Sequence, residues 1–580
     1  MKKITKTLNL KCLLFSFLAF YVLQLSAQQF TQYDTDNELN QKQKKFRNTE
    51  SDGLAPSINY FETTWKTDNP GVSNSTSITI PTGTETYNYD VDWNNDGVYD
   101  ETGITGAVTH DYGTAGTYTI RIRGTFPYMG FNNGGDKDKI LSVNKWGNIA
   151  WTSMRGMFHG CSNIVFIATD VPDLSNVTDM GFMFADAVNF NSDVSNWDVS
   201  NITNMSRMFR NAASFNQDIG NWNVSNVTNM SFMFNNAAFF NQDLSGWDTS
   251  NVSDMGFMFN NASTFNQSFS GVWNTDNVNN LNSMFRGAIS FNQNINDWNI
   301  SNVTNISNMF NNATSYNQDM DNWDTSKVTN MEGVFKGANA FNGNISTWDL
   351  SNVTTIRDLF SSASSFNQSI GSWNVGNVTD MISVFENATA FNQDISTWDV
   401  ANVTSFYRAF KGASTFNQSL STWNIANAIT LGEMLTGTAM NVPNYDALLV
   451  AWGQLPVNNN VVFGAPATQY CQGGEAARTK LIKINSWSIS GDLGLGRCFI
   501  LSRDDYDLNA VKIYPNPTSS ILNIETAKQL KSITIYTVLG KVITKTTTSS
   551  IDVSNLKSGM YLLEIEDEEG NLTSKRFVKE

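Results

Sequence analysis

Histidine is almost absent from this 580-residue chain, with only His110 and His159, and there are four cysteines. That scarcity removes several chemistries at once. No C-x-x-C pair is present, so a zinc site finds no support. No H-E-x-x-H, no G-x-S-x-G and no phosphate-binding loop occurs. Charged residues make up only 16% of the chain, and acids exceed bases to give a net charge of −16. Such a surface repels phosphate backbones, which argues against a nucleic-acid partner. The apolar run Leu13–Leu23 is too short to span a membrane stably.

What the chain has instead is repetition. Trp197, Trp222, Trp247, Trp273, Trp298, Trp323, Trp348, Trp373, Trp398 and Trp423 recur every 25 residues. One step, Trp247 to Trp273, holds an extra residue in the Ser270–Val272 stretch. Two aromatic columns keep the same beat, one from Phe184 to Phe410 and one from Phe190 to Phe416, with Tyr316 in the second. An alanine stands three residues before each member of the second column, and an asparagine follows each, from Asn191 to Asn417. A fixed period of this length predicts a solenoid, in which one coil cannot bury its apolar face alone. Stacked coils put like on like, roughly 4.8 Å apart where strands pair. Apolar columns then fill a continuous core, and asparagine columns pass hydrogen bonds from coil to coil. A tryptophan invariant in every coil reads as core rather than as a sugar platform. F-N-Q-D-I-x-x-W-D is expected to be extended with a short pairing strand, N-V-T-N-M a second extended or turning side, and M-x-x-M-F-x-x-A a short helix or helical turn.

One column breaks the uniformity. Two residues before the first-column Phe it reads Phe182, Arg207, Phe232, Phe257, Ser283, Asn308, and so on. The column after that Phe is equally free and includes Arg210. Such freedom predicts solvent exposure, so Phe182, Phe232 and Phe257 with Arg207 and Arg210 form the candidate contact patch. The competing reading is that these rings pack on neighbouring coils or on the N-terminal domain.

The repeat V-T-[ND]-M-x-x-M-F-x-x-A-x-x-F-N-Q-[DS]-[IL]-x-x-W-[DN]-V-S resembles that of BspA-like leucine-rich-repeat surface proteins over residues 150–430. The resemblance implies a secreted or surface-displayed protein of the adhesive or protein-binding kind. Val511–Ile524 (V-K-I-Y-P-N-P-T-S-S-I-L-N-I), the later L-K-S-G-M-Y-L and the basic ending Lys575–Lys579 resemble the type A C-terminal sorting domain of the type IX secretion system. That resemblance implies an exported protein of a Bacteroidetes-like bacterium, with the secretion machinery as a partner through residues 505–580.

The expected organisation is a signal peptide (1–27), a polar leader (28–56), a β-domain (57–145), a lead-in coil and cap (146–171), about ten regular coils (172–428), an exit cap (429–504) and the sorting domain (505–580). H-D-Y-G-T-A-G-T-Y-T-I, His110 to Ile120, resembles the end of a PKD-type β-sandwich, and the excursion 126–138 could cap the first coil. The fold class is thus a repeat solenoid of short strands and helical turns, flanked by a PKD-like β-sandwich and a small C-terminal β-sandwich.

Two smaller readings remain. Asp92, Asn94, Asp96 and Asp100, with Gly97 at the turn, have the spacing of a calcium loop, although a glycine occupies the twelfth position; the alternative is a polar hairpin turn. No other cofactor is called for. Cys471 and Cys498 flank an expected helix and are expected to pair, closing a loop of about 27 residues worth roughly 3 kcal/mol. Cys161 reads as a small buried hydrophobe. The functional expectation is a non-enzymatic adhesin or protein-binding scaffold whose ligand is a protein or glycan. The alternative is a carbohydrate-binding or polysaccharide-processing surface protein.

Overall fold

The computed structural model describes residues 60–495, 511–526, 529–568 and 572–580. The expected signal peptide and leader lie outside these residues, as does Cys498. The N-terminal part is built from β1 (Phe61–Lys66), β2 (Ser77–Ile80), β3 (Asn88–Asp92), β4 (Glu101–Ile104), β5 (Val108–Asp111), β6 (Thr117–Thr125) and β7 (Ile140–Lys145). A short β8 (Val165–Phe166), from the first coil, joins β7 in parallel, so one sheet runs β4-β3-β6-β1-β7-β8, while β2 pairs with β5. Strand β1 sits between β6 and β7 and buries Phe61, Thr63 and Trp65 on one face.

The excursion 126–138 lies against the first coil. Phe131, Asn132 and Asn133 donate backbone N–H bonds to the carbonyls of Met157, Gly156 and His159. A buried clamp holds this excursion to the sheet. The Lys139 ammonium donates to the carbonyls of Ser73, Asn74 and Ser77, and Asp136 accepts from the backbone of Val72, Ser73 and Thr79. Both side chains are essentially inaccessible, and the pair stands 3.9 Å apart.

From there the chain winds in 25-residue coils. Each coil touches the next through one parallel bridge, running Asp179, Asn204, Asn229, Asp254, Asn280 and on to Thr430. The bridge falls on the N-V-T-N-M side and not on F-N-Q-D, where the strand was expected. On the F-N-Q-D side the asparagine column does the joining. The Asn191 side-chain oxygen accepts the Asn216 N–H at 2.9 Å, and the pattern continues to Asn417 accepting from Asn441.

The M-x-x-M-F-x-x-A segment is not helical. Met183, Ala185 and Ala187 donate to the carbonyls of Met180, Phe182 and Phe184, making a run of four-residue turns. The alternate residues, Met180, Phe182, Phe184 and Asp186, donate instead to Asn204, Ser206, Met208 and Arg210 of the next coil. Every fourth residue is left-handed, with Phe182 at φ 60° and Asp186 at φ 58°, which no α-helix tolerates. These turns present apolar side chains at the same three- and four-residue spacing as a helix.

The aromatic columns are buried throughout. Phe184 stacks on Phe190 within its coil at 3.9 Å and on Phe209 of the next coil at 5.5 Å. The Trp247, Trp323, Trp348, Trp373, Trp398 and Trp423 indoles each donate to a carbonyl of the preceding coil, as Trp348 does to Met320 at 2.9 Å. Trp273 follows the extra residue, and its buried indole N–H has no partner. The same apolar core continues from β1 through the coils into the exit cap.

The exit cap holds helices α1 (Val442–Trp452) and α2 (Gln472–Lys483), and a parallel sheet of Thr430–Leu431, Val462–Gly464 and Ser488–Ser490. The Asn441 side chain caps α1 by accepting from the Asn444 N–H. Cys471 is buried and disulfide-bonded, and Cys161 is a buried free thiol. The C-terminal part has its own core around Leu522, Ile533, Leu563 and Phe577. It comprises a three-stranded sheet (Lys512–Tyr514, Ile521–Glu525, Ser550–Asp552) and a four-stranded one ordered Val542–Thr546, Leu530–Thr537, Gly559–Asp567, Leu572–Lys579.

Candidate binding surface

The variable column is the left-handed column. Phe182, Arg207, Phe232, Phe257, Ser283, Asn308, Gly333, Asp358, Ser383, Arg408 and Glu433 all have φ between 53° and 61°. Small or polar residues suit this conformation, whereas a bulky ring in it is an outlier costing about 1–2 kcal/mol. Three phenylalanines nevertheless occupy it within the first coils.

The structure brings four of the five predicted contact residues into one ladder. The Arg207 guanidinium lies 5.1 Å from the Phe182 ring centre and 4.6 Å from that of Phe232. Phe232 then stacks on Phe257 at 4.4 Å with planes 4° apart. All four are half-buried. The rings pack along the column and still reach solvent. Arg155, which the sequence did not single out, covers the other face of Phe182 at 5.0 Å and pairs with Asp179. Arg155 is not itself in the variable column: in the first coil that position is Gly156, at φ 59°, and Arg155 stands one residue before it.

Arg210, the fifth residue, turns away to the second left-handed column. There it faces Asp186 at 3.7 Å, with His159 at 2.8 Å from the same carboxylate. Burial pushes the Asp186 carboxyl up, but the bonds from Asn211 and His159 and the Arg210 charge outweigh it and hold the group below its ordinary value.

The calcium-spaced residues share one hairpin loop. Asp92 is buried, and its two oxygens accept from the Asp96 and Gly97 N–H groups. Asn94 accepts from Asp96, Asp96 from Val98, and Asp100 from Trp93. Among the described residues, no three His, Cys, Asp or Glu side chains are grouped so as to hold a metal ion.

Comparison with known families bears on the coils directly. Residues 152–272, 243–348 and 333–447 match, as three overlapping copies, the family described as "Mycoplasma protein of unknown function, DUF285", and together they span about half of the chain. The chain belongs to the DUF285 family. The ladder and both left-handed columns thus sit on the DUF285 repeats, whose function is unknown. Residues 512–580 match the secretion system C-terminal sorting domain, which marks export to the cell surface or secretion and contact with the type IX secretion machinery. No curated protein and no solved structure matches the chain. Among the described residues, no helix is long and apolar enough to cross a membrane.

Proposed function

We propose that this exported DUF285 protein is a non-enzymatic binding scaffold of the BspA-like kind. In this reading a solenoid of stacked coils displays a contact face, and a PKD-like N-terminal domain caps it. The observation that carries the reading is the occupation of three strained left-handed positions by phenylalanine. Strain of this sort persists where it serves a function, and the eight other members of the same column are smaller, polar or charged residues, among them the ion-paired Arg408. Export to the surface gives such a face access to external ligands. Many ionisable residues of the coils are engaged in turns, ladders and ion pairs, which favours binding over turnover.

The test compares cells displaying the full chain with cells displaying Phe232→Ser/Phe257→Ser for attachment to protein-coated and glycan-coated surfaces. Loss of attachment in the variant, without degradation of the coating, is the expected result. Equal attachment by both, or release of soluble fragments from a glycan coating, overturns it.

A further inference from the structure

A hollow of about 600 Å³ opens where the last coils meet the exit cap. Asn402, Thr404, Asn427 and Ile429 line its coil side, and the loop Asn458–Asn460 lines its cap side. The volume falls within the roughly 300–1,000 Å³ of small-molecule sites. Residues outside the hollow hold the loop in place. Trp487 donates its indole N–H to the Asn458 carbonyl at 2.8 Å, and the Asn460 N–H goes to the Asn485 carbonyl at 2.9 Å.

The coil side is a regular pattern with one substitution. Along the N-V-T side each asparagine is followed two residues on by a second exposed row. Thr304, Thr329, Thr354, Thr379 and Thr404 fill that row in turn, and the next member is Ile429. Ile429 is 67% exposed, so the fold gains little from its burial. It sets one apolar side chain into a concave wall otherwise made of amides and a hydroxyl, the mixture that small-molecule sites use.

The polar groups of the wall have spent donors and kept acceptors. The amide nitrogens of Asn402, Asn427 and Asn458 donate to the carbonyls of Gly376, Ala401 and Ala428 at 2.7, 2.8 and 3.0 Å. The Thr404 hydroxyl donates to the Thr379 carbonyl at 3.2 Å. These bonds fix the side chains, and among the described residues no donor meets the amide oxygens of Asn402, Asn427 or Asn458. An oxygen in this column can be reached: that of Asn302 accepts from the Lys327 ammonium at 2.8 Å.

The ligand must therefore bring hydrogen-bond donors. No ionisable side chain is among the lining residues. A cation would leave water with no carboxylate there to neutralise it, and the net charge of −16 opposes an anion. A peptide brings one backbone N–H per residue, and in an extended chain these point to alternate edges. A sugar ring carries hydroxyls on adjacent carbons beside apolar C–H groups. The hydroxyls suit the amide oxygens, and the C–H groups suit Ile429.

We propose that the hollow between the last coils and the exit cap binds a neutral saccharide unit. The site shares no residue with the aromatic ladder and does not rest on the reading of that ladder. The experiment is affinity electrophoresis of the full chain in gels containing dextran, mannan or laminarin, with glycol chitosan and polygalacturonate as charged probes. At least one of the three neutral polysaccharides is expected to retard the protein. Ile429→Thr restores the residue of the preceding coils, so it is expected to fold as the parent does and to bind about fivefold more weakly. Asn427→Ala is expected to weaken binding about fivefold as well. Asn352→Ala, in the same column away from the hollow, and Phe232→Ser/Phe257→Ser are expected to bind as the parent does. Circular dichroism of all variants is expected to match the parent. No retardation by any neutral probe overturns the proposal. So does retardation that survives both Ile429→Thr and Asn427→Ala, or that Phe232→Ser/Phe257→Ser abolishes, because the site then lies elsewhere. Retardation by a charged probe alone, lost in Ile429→Thr and Asn427→Ala, would give the hollow to an ionic ligand and overturn it too.

Discussion

Tyr316 stacks on Phe291 of the preceding coil with ring centres 5.7 Å apart and planes within 3°, in a column otherwise made of phenylalanine. Its hydroxyl is wholly buried and has no hydrogen-bond partner. A buried unsatisfied hydroxyl costs about 1–3 kcal/mol. Tyr316→Phe is therefore expected to stabilise the protein by about 1 kcal/mol or more. A rise in the midpoint of chemical denaturation checks this, and an unchanged or lowered midpoint refutes it.

Glu433 sits at the last left-handed position of the variable column, and bonds from Lys411 and Arg408 hold its carboxyl down to about 2 against an ordinary 4.5. A depressed folded value means that its stabilisation is fully present above the unfolded value, near 4.5, and is lost as pH falls through about 2. Thermal melts taken downward from neutrality should show Glu433→Gln lagging the parent at neutral pH and converging with it at the acid end. Parallel curves across the whole range would show that this cluster contributes nothing.

Asp136 and Lys139 make a buried pair whose remaining bonds all go to the segment around Ser73–Thr79. Removing one partner strands the other charge, at a cost of about 3–5 kcal/mol. Asp136→Ala should lower the melting temperature far more than Asp138→Ala, whose carboxylate is part-exposed and pairs with Lys137. Similar losses for the two would refute the clamp.

Phe257 combines a strained backbone with a favourable stack. Asparagine tolerates the left-handed region, so Phe257→Asn should relieve about 1–2 kcal/mol of strain while giving up about 0.5–1.5 kcal/mol of stacking. The expected net change in stability is under about 1 kcal/mol, with surface attachment reduced. A severe loss of stability would mean that the ring serves packing alone.

The tryptophan, phenylalanine and asparagine columns were legible because a strict period forces like residues into register, whatever the coil's local shape. Local shape was less legible. The spacing of Met180, Met183, Phe184 and Ala187 fits both a helix and consecutive four-residue turns, and only the left-handed residues at 182 and 186 separate them. Their signal was available: Asn and Gly recur in the Asp186 column, at Asn211, Asn236, Asn261 and Gly287. Within the β-domain, β1 lacks a clean apolar alternation because Thr63 fills the buried position between Phe61 and Trp65. The variable column was legible, yet the cation–ring contacts of Arg155 and Arg207 along it were not.

The N–H groups that the turn segment spends between coils all run in one direction, from each coil to the carbonyls of the next, as Phe182 does to Ser206 and Phe209 to Met233. Every junction uses equivalent atoms. Loss or gain of one whole unit by recombination would therefore leave both caps and every surviving junction with the partner it needs. A change of any other length within the turn segment would set donors against donors, whereas the extra residue beside Gly271 shows that the opposite side absorbs one. The number of coils, and with it the reach of the displayed face, is a quantity that such a gene can adjust in discrete steps without redesigning any part of the fold.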